Sequence, residues 1–344
     1  MKISRRKFIT TTGAFAAGTG LLMLDACHIN KKPDIQRLRL DYAGPHLFYE
    51  DFMLFCKGVK GVEIIKSGFE QSVMSSSPLA FLAEPLGNRG VKLLMLLEQG
   101  KDVLVLPPLT GDYDEFNAIQ LQCNMQDRRL ALLNPFRYFS SVQELKKLIS
   151  TGAAGRIRSL EISIDPGYNI PYLAPVEGIT GPALLLITMI NEILASFPLS
   201  VMASLSATPS GISDMQLKSL AFDYQNMILN CHFIPGMSGW TLKATGEKDT
   251  LELRDSGELH SGNEGLMIKA DRQVMLSSLR TGIEDFIQSV RERTEPESNS
   301  VEGLMQITIN HAIERAITQG VKTDFVDRPY YAEADKLWMK ENSI

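Results

Sequence analysis

Apolar residues in the first part of the chain switch repeatedly between two spacings. Segments where they alternate or run together predict strands, and segments where they recur every three or four residues predict helices. The predicted strands are 37–42, 62–65, 79–83, 103–106 and 130–133, and the predicted helices are 48–59, 90–98 and 115–126. This alternation predicts a parallel sheet with helices on its faces. The stretch 62–85 is short for the helix and third strand that such an arrangement normally has there.

The second half of the chain has a different pattern. Predicted helices at 142–150 and 182–197 flank a predicted strand at 157–164. Period-2 segments separated by turn residues then predict five strands, before two closing helices at 281–293 and 301–319; these strands are 202–207, 217–224, 227–233, 239–245 and 250–254. We expect an open, mostly antiparallel sheet with helices on one face. The predicted fold class is therefore α/β plus α+β.

The first 26 residues have the pattern of an export signal. A basic start is followed by an uncharged run, 10–24, which is too short and too rich in small residues for a stable membrane span. The pair Arg5-Arg6 resembles a twin-arginine signal, and Leu24–Cys27 resembles a lipobox with Cys27 as the lipidated residue. We expect an exported protein of the periplasm or envelope, which touches a membrane only through a lipidated Cys27. An ordinary basic N-terminus, a plain cleaved signal and a buried thiol are the alternatives.

The length of 344 residues is enough for two domains. The predicted divisions are an export signal (1–26), a tether (27–35), a parallel-sheet domain (36–134), an α+β domain (135–330) and a C-terminal tail (331–344).

The charge and the cysteine content exclude several classes of function. Removing residues 1–26, with four basic residues and one acidic residue, changes the formal net charge from −5 to −8. A pI near 5.7 argues against a nucleic-acid partner. The four cysteines match no zinc or redox motif, and the five histidines have no metal-ligand spacing, so no metal site is predicted. Cys231 and His232 are adjacent in a predicted strand, where neighbouring side chains point to opposite faces, so they do not form a nucleophile–base pair.

Several short motifs occur in an order that resembles the Gfo/Idh/MocA oxidoreductases. They are Pro85 followed by 100–105 (GKDVLV), Arg137-Tyr138 followed by 148–157 (LISTGAAGRI), 240–251 (WTLKATGEKDTL), 285–293 and 316–321. The resemblance implies a Rossmann-like nucleotide-binding domain followed by an open-sheet α+β domain. It also implies activity on sugars or their derivatives with NAD or NADP, and a homo-oligomer that pairs through the open sheet. Fold alone does not establish the function.

The positions that would hold the nicotinamide cofactor depart from the family pattern. A dinucleotide site needs glycines at the first strand–helix turn, where backbone N–H groups approach the pyrophosphate. This chain has one glycine there, Gly44, followed by Pro45, which has no N–H to donate. The second strand ends in Lys66 instead of an acid for the ribose hydroxyls. Lys66 could hold a 2′-phosphate, which would favour NADP. The expectation is that no cofactor is bound, with NAD or NADP as the alternative.

The proton-transfer positions also depart from the pattern. The family lysine corresponds to Pro107, the aspartate to Leu186 and the histidine to Ile190. None of these side chains can donate or accept a proton. No catalytic residue is therefore predicted, and the apolar run 184–193 is expected to be core.

Five other residues are candidates to line a cleft between the two domains: Arg89, Lys101, Arg137, Asn191 and Glu192. Salt bridges would explain the charged ones equally well. The first functional hypothesis is a binding or scaffold module for a small-molecule, carbohydrate-like ligand, without dehydrogenase chemistry. The second is a divergent NAD(P)-dependent oxidoreductase acting on a sugar or sugar derivative in the periplasm. A third possibility is a structural subunit that works beside an active paralogue. The sequence does not distinguish it from the first hypothesis, a binding or scaffold module.

Overall fold

The computed structural model describes residues 37–44, 49–84, 86–169, 181–208, 211–271 and 273–325. Arg5, Arg6, Cys27 and Pro45 lie outside these ranges, as do the whole predicted export signal and tail. Within these ranges the structure describes only the backbone of Leu86, 207–208 and 211–215.

Five described strands form a parallel sheet in the order β2-β1-β3-β4-β5. They are β1 (Leu38–Ala43), β2 (Val62–Lys66), β3 (Leu79–Leu82), β4 (Asp102–Val105) and β5 (Leu130–Leu132). Every residue of β3, β4 and β5 is buried, as expected for strands with helices on both faces. The parallel sheet is therefore confirmed.

Four helices accompany this sheet: α1 (Tyr49–Cys56), α2 (Gly68–Met74), α3 (Leu86–Glu98) and α4 (Tyr113–Gln126). The stretch 62–85 is short for the usual helix and third strand, yet it contains both, and the strand was predicted at 79–83. The seven-residue α2 and the four-residue β3 both fit there. Helix α2 was missed because its Gly, Ser and Gln residues leave only a weak apolar period.

Nine described strands form the second sheet, in the order β13-β12-β11-β10-β6-β9-β8-β7-β14. They are β6 (Ile157–Ile164), β7 (Ser200–Thr208), β8 (Gly211–Tyr224), β9 (Met227–Phe233), β10 (Trp240–Gly246), β11 (Thr250–Arg254), β12 (Leu259–Ser261), β13 (Gly265–Ile268) and β14 (Thr323–Asp324). All neighbours pair antiparallel except β6 and β9. The open, mostly antiparallel sheet is confirmed, and β12, β13 and β14 are additions to the prediction.

The helices of the second half are α5 (Ser140–Ser150), α6 (Pro182–Leu194), α7 (Val274–Glu292) and α8 (Ser300–Gln319). A short 3₁₀ turn, Pro135–Tyr138, precedes α5. Helix α7 begins seven residues before its predicted start at 281. Its first turns were missed although Val274, Met275, Ser278 and Leu279 are buried at helical spacing.

Helix α8 contributes to two hydrophobic cores. Leu304 and Ile307 pack with the apolar residues of α3 and α4 against the parallel sheet. Met305 and Ile309 belong to the larger core that covers one face of the second sheet. A helix that is apolar on nearly all sides is a buried helix. Helix α8 thus links the two sheets through packing.

Candidate functional site

The end of β1 is where the dinucleotide turn would begin. A Cβ added to Gly44 would lie 2.7 Å from the Cβ of Ala83, closer than real Cβ contacts, so only glycine fits beside the end of β3. Lys66, at the end of β2, has its Nζ 4.5 Å from the ring centroid of Tyr49, a cation–π distance. The close packing of two strand ends thus explains the lone glycine.

Arg89 joins the loops that follow β3 and β4. Its Nε and Nη2 donate to the carbonyl oxygen of Glu84 at 2.8 and 2.7 Å, and its Nη1 donates to the carbonyl oxygen of Pro108. The side chain is buried. Pro107, at the family's lysine position, lies in the adjoining buried segment and is joined to Pro108 by a cis peptide bond. Arg89 therefore holds together, by hydrogen bonds, the backbone of the two loops that follow β3 and β4.

Helix α6 holds the two other family positions inside the core. Leu186 and Ile190 are both buried and lie among apolar residues of the larger core. Asn191 is buried as well, and its Oδ1 accepts a hydrogen bond from the hydroxyl of Tyr224 on β8. Since one residue turns a helical side chain by about 100°, Asn191 faces the sheet while Glu192 does not.

Arg137 and Glu192, two of the candidate cleft residues, do lie together. The Nη2 of Arg137 is 3.1 Å from Oε2 of Glu192 and 3.4 Å from Oε2 of Glu302 on α8. Lys146 of α5 lies 3.2 Å from the other oxygen of Glu192. Burial opposes the charge of Arg137, but the carboxylates of Glu302 and Glu192 outweigh it and raise its pKa. We call Arg137, Lys146, Glu192 and Glu302 the ion cluster.

Glu302 is the most buried member of the ion cluster, with 3% of its side chain exposed. Its Oε1 accepts from Nδ2 of Asn134 at 2.6 Å and from Nε2 of Gln306 at 3.2 Å, and its Oε2 accepts from the hydroxyl of Ser298. A buried carboxylate needs such partners to offset its desolvation. Sequence reasoning missed Glu302 because an acid in the first turn of a helix is usually a solvated one. The signal was its position within the apolar run of α8.

Lys101 lies elsewhere. It directly precedes β4, so it is at the amino edge of the parallel sheet, whereas the other candidates follow strand ends. Its Nζ is 3.7 Å from Oδ2 of Asp41 and donates to the carbonyl oxygens of Ser75 and Ser77 at 3.1 and 2.6 Å. Both Asp41 and Lys101 are buried. Burial lowers the pKa of Lys101, and the charge of Asp41 opposes that shift. This is an internal ion pair of the core.

The cysteines of the described residues are free and buried. Burial raises the thiol pKa of Cys56 and Cys231, and raises that of Cys123 to about 12. Cys231 is buried while His232 is exposed, so the two side chains do point to opposite faces of the sheet. Thiolate chemistry is therefore not available at these positions near neutral pH.

The described ranges contain neither a cluster of metal ligands nor a membrane-spanning helix. No group of three or more His, Cys, Asp or Glu side chains is placed to hold a metal ion. No helix among these residues combines the length and the apolar character needed to cross a membrane.

Solved structures share this architecture at low sequence identity. An oxidoreductase from Agrobacterium radiobacter, solved with NAD+, L-tartaric acid and magnesium, matches with a TM-score of 0.69 and 16% identity over 84% of this chain and 99% of that one. The WlbA dehydrogenase from Bordetella pertussis, solved with NADH and UDP-GlcNAcA, matches with a TM-score of 0.67 and 14% identity over 84% and 99%. The chain has the Gfo/Idh/MocA fold.

A myo-inositol 2-dehydrogenase from Lactobacillus plantarum also has the Gfo/Idh/MocA fold of this chain. It matches with a TM-score of 0.67 and 14% identity, over 83% of this chain and 99% of that one. No family model matches the sequence, and no protein of curated function matches it. Similarity at these identities carries the fold alone, so the chemistry has to be argued from the side chains.

On the Gfo/Idh/MocA fold of this chain, the charged groups near the strand ends are paired with one another. Arg137 cannot serve as a base, because a guanidinium stays protonated and its pKa is raised further here. Glu192 is held between two cations, Arg137 and Lys146. Among the described residues, this arrangement pairs the charges of Arg137, Glu192 and Glu302 with one another.

Proposed function

We propose that this chain is an exported Gfo/Idh/MocA-like protein without dehydrogenase chemistry, which acts as a binding or scaffold module for a small, carbohydrate-like ligand. The observation that carries the proposal is the ion cluster. Arg137, Glu192 and Glu302 neutralise one another within 3.4 Å, whereas the family's proton-transfer positions are occupied by Pro107, Leu186 and Ile190. Proton transfer at the reacting carbon needs an ionisable group within hydrogen-bond reach.

The residues at the dinucleotide positions support the same proposal. A ribose hydroxyl pair is normally held by a carboxylate at the end of the second strand. Here that position is Lys66, whose ammonium lies over the ring of Tyr49. The described side chains thus fit a nicotinamide dinucleotide poorly.

We expect neither NADH nor NADPH to bind at millimolar concentration. The measurement is fluorescence titration of the purified chain from residue 28 onward, with release of any co-purified cofactor by denaturation. The L. plantarum myo-inositol 2-dehydrogenase run in parallel serves as the positive control. A stoichiometric nicotinamide in the supernatant would overturn the proposal.

The second candidate is a divergent NAD(P)-dependent oxidoreductase acting on a sugar or sugar derivative. Its support is that similar folds were solved with NAD+ and NADH. Lys66 adds a specific reason for NADPH, since an ammonium there could pair with a 2′-phosphate. NADPH binding that Lys66→Met abolishes would favour this candidate. A structural subunit beside an active paralogue would give the same negative titration as the first proposal.

Export and anchoring are part of the proposal and rest on the N-terminal motifs. We expect Arg5→Lys with Arg6→Lys to leave the precursor in the cytoplasm, because twin-arginine transport requires the pair. We expect Cys27→Ser to release the mature chain from the membrane fraction, because the acyl chains are lost. Cell fractionation and immunoblotting measure both. Normal export of the double variant would refute the twin-arginine signal, and Cys56→Ser is the matched control for Cys27.

The homo-oligomer implied by the resemblance stays a prediction.

A further inference from the structure

The open face of the second sheet carries a cavity apart from the ion cluster. Its volume is about 460 Å³, within the usual range for a small-molecule site. It is formed by β7, β8, β9 and the loop after β9. Its lining consists of Ser204, Ser206, Gln216, Leu217, Lys218, Ser219, His232, Phe233, Ile234 and Pro235.

A β-bulge in β8 places Lys218 on the open face of the sheet. Lys218 is the only lysine or arginine among the lining residues that the structure describes. Ser204 pairs with Ser219, but the next residue of β7, Leu205, pairs with Leu217, so Lys218 is an extra residue in β8. Such a bulge redirects the side chain of the added residue. Leu217 packs against the core, and Lys218 lines the cavity beside Ser219. His232 stands directly opposite Ser219 on β9.

The polar side chains of this cavity are available to a ligand. Within the described residues, Ser204, Lys218, Ser219 and His232 form no hydrogen bond or ion pair through their side chains. The contrast with the ion cluster is sharp, since there each charged group has a partner. Among the lining residues that the structure describes there is no Asp or Glu.

The remaining wall of the cavity is apolar. Ile234 and Pro235 follow β9, and Ile234 leaves 44% of its surface exposed, whereas the side chain of Phe233 belongs to the core on the other face of the sheet. Apolar side chains together with hydroxyl and amide groups suit a molecule that has both C–H bonds and hydroxyls. Serine hydroxyls and an amide both donate and accept, as alcohol groups require. The ammonium adds a preference for one negative charge.

We propose that this cavity binds a polyhydroxylated organic monoanion of about the size of a six-carbon sugar acid, with its carboxylate on Lys218 and its hydroxyls on the serines and His232. The inference does not depend on the proposed function, because the cavity is separate from the ion cluster and from the dinucleotide positions. The homo-oligomer that the resemblance implies would pair through this same open sheet, so a second copy of the chain is the competing occupant, and the monoanion replaces it at this cavity.

The test is calorimetric titration of the full mature chain with sodium gluconate at low salt. D-glucose lacks the carboxylate and acetate lacks the hydroxyls, so they are the matched ligands, and both should bind more weakly than gluconate. Lys218→Gln should weaken gluconate binding about tenfold, the value of one lost charge-assisted hydrogen bond. Lys243→Gln is the control, because Lys243 is an exposed lysine on β10 that does not line the cavity. Ser204→Ala with Ser219→Ala should also weaken binding.

Four outcomes would overturn the proposal. These are absence of gluconate binding, equal binding of acetate, equal loss in the Lys243 and Lys218 variants, and a dimer in sedimentation that Lys218→Gln dissociates. Thermal unfolding of each variant checks that it is folded, which is expected since both lysines are exposed. A negative NADH titration leaves this inference untouched, and gluconate binding leaves the cofactor question untouched.

Discussion

Replacing Arg137 by methionine should lower the free energy of unfolding by about 3–5 kcal/mol, as expected when one partner of a buried ion pair is removed. The cause is Glu302, whose side chain is only 3% exposed and would lose the guanidinium that pairs with it. Glu192 retains Lys146, so the loss falls mainly on Glu302. Urea denaturation followed by circular dichroism measures the change.

The matched control is Arg158→Met. Arg158 is 70% exposed and pairs with Glu247 on the sheet surface at 3.3 Å. Such a pair contributes about 0–1 kcal/mol, so this variant should be close to wild type. Adding Glu302→Gln to Arg137→Met should recover part of the loss, because the uncompensated charge is then gone. Equal, small losses in the two arginine variants would mean that the ion cluster is not the buried structure described above.

Replacing Lys101 by methionine should cost a similar amount, again about 3–5 kcal/mol. Asp41 is fully buried and would lose its only cation among the described residues within 4 Å. It would keep hydrogen bonds from the hydroxyls of Ser75 and Ser77, which limit the loss. Lys92→Met is the control, because Lys92 pairs with the partly exposed Glu84. Asp41→Asn combined with Lys101→Met should be less destabilised than Lys101→Met alone.

The pH dependence gives an independent check on Lys101. Burial lowers the pKa of Lys101 in the folded chain, so between that pKa and the unfolded value near 10.5 the unfolded chain binds more protons. The wild type should therefore gain stability relative to Lys101→Met as the pH rises through this window. Curves of unfolding free energy against pH that stay parallel for the two proteins would contradict the burial of the charge.

Much of the fold follows from local patterns. Strand β6 has the bounds Ile157–Ile164 that its alternation predicts, because its apolar residues face the core and its polar residues face solvent. Strands β12 (LHS) and β13 (GLMI) were not predicted, since they are only three and four residues long. Their pairing with β11 decides their conformation, and a single sequence does not reveal that partner.

The candidate site was less predictable, because its contacts join distant parts of the chain. Arg137 and Glu192 were singled out, but Glu302 lies 165 residues after Arg137, and its partner Asn134 stood out in no motif. Lys101 was grouped with them by charge alone. Its place directly before β4, at the amino edge, separates it from residues that follow strand ends. The bulge at Lys218 depends on the register of two strands, which no sequence period encodes.

The packing of α8 into both cores affects how cooperatively the two sheets unfold and how freely they can move apart. Leu304 and Ile307 belong to one core, and Met305 and Ile309, on the same helix, belong to the other. Neither core can lose this helix without exposing apolar surface of both, so the two sheets should melt in one transition. Hinge opening between them would have to pull the same helix out of one core. The proposed ligand would therefore meet a preformed surface, and selectivity would come from fit without domain closure.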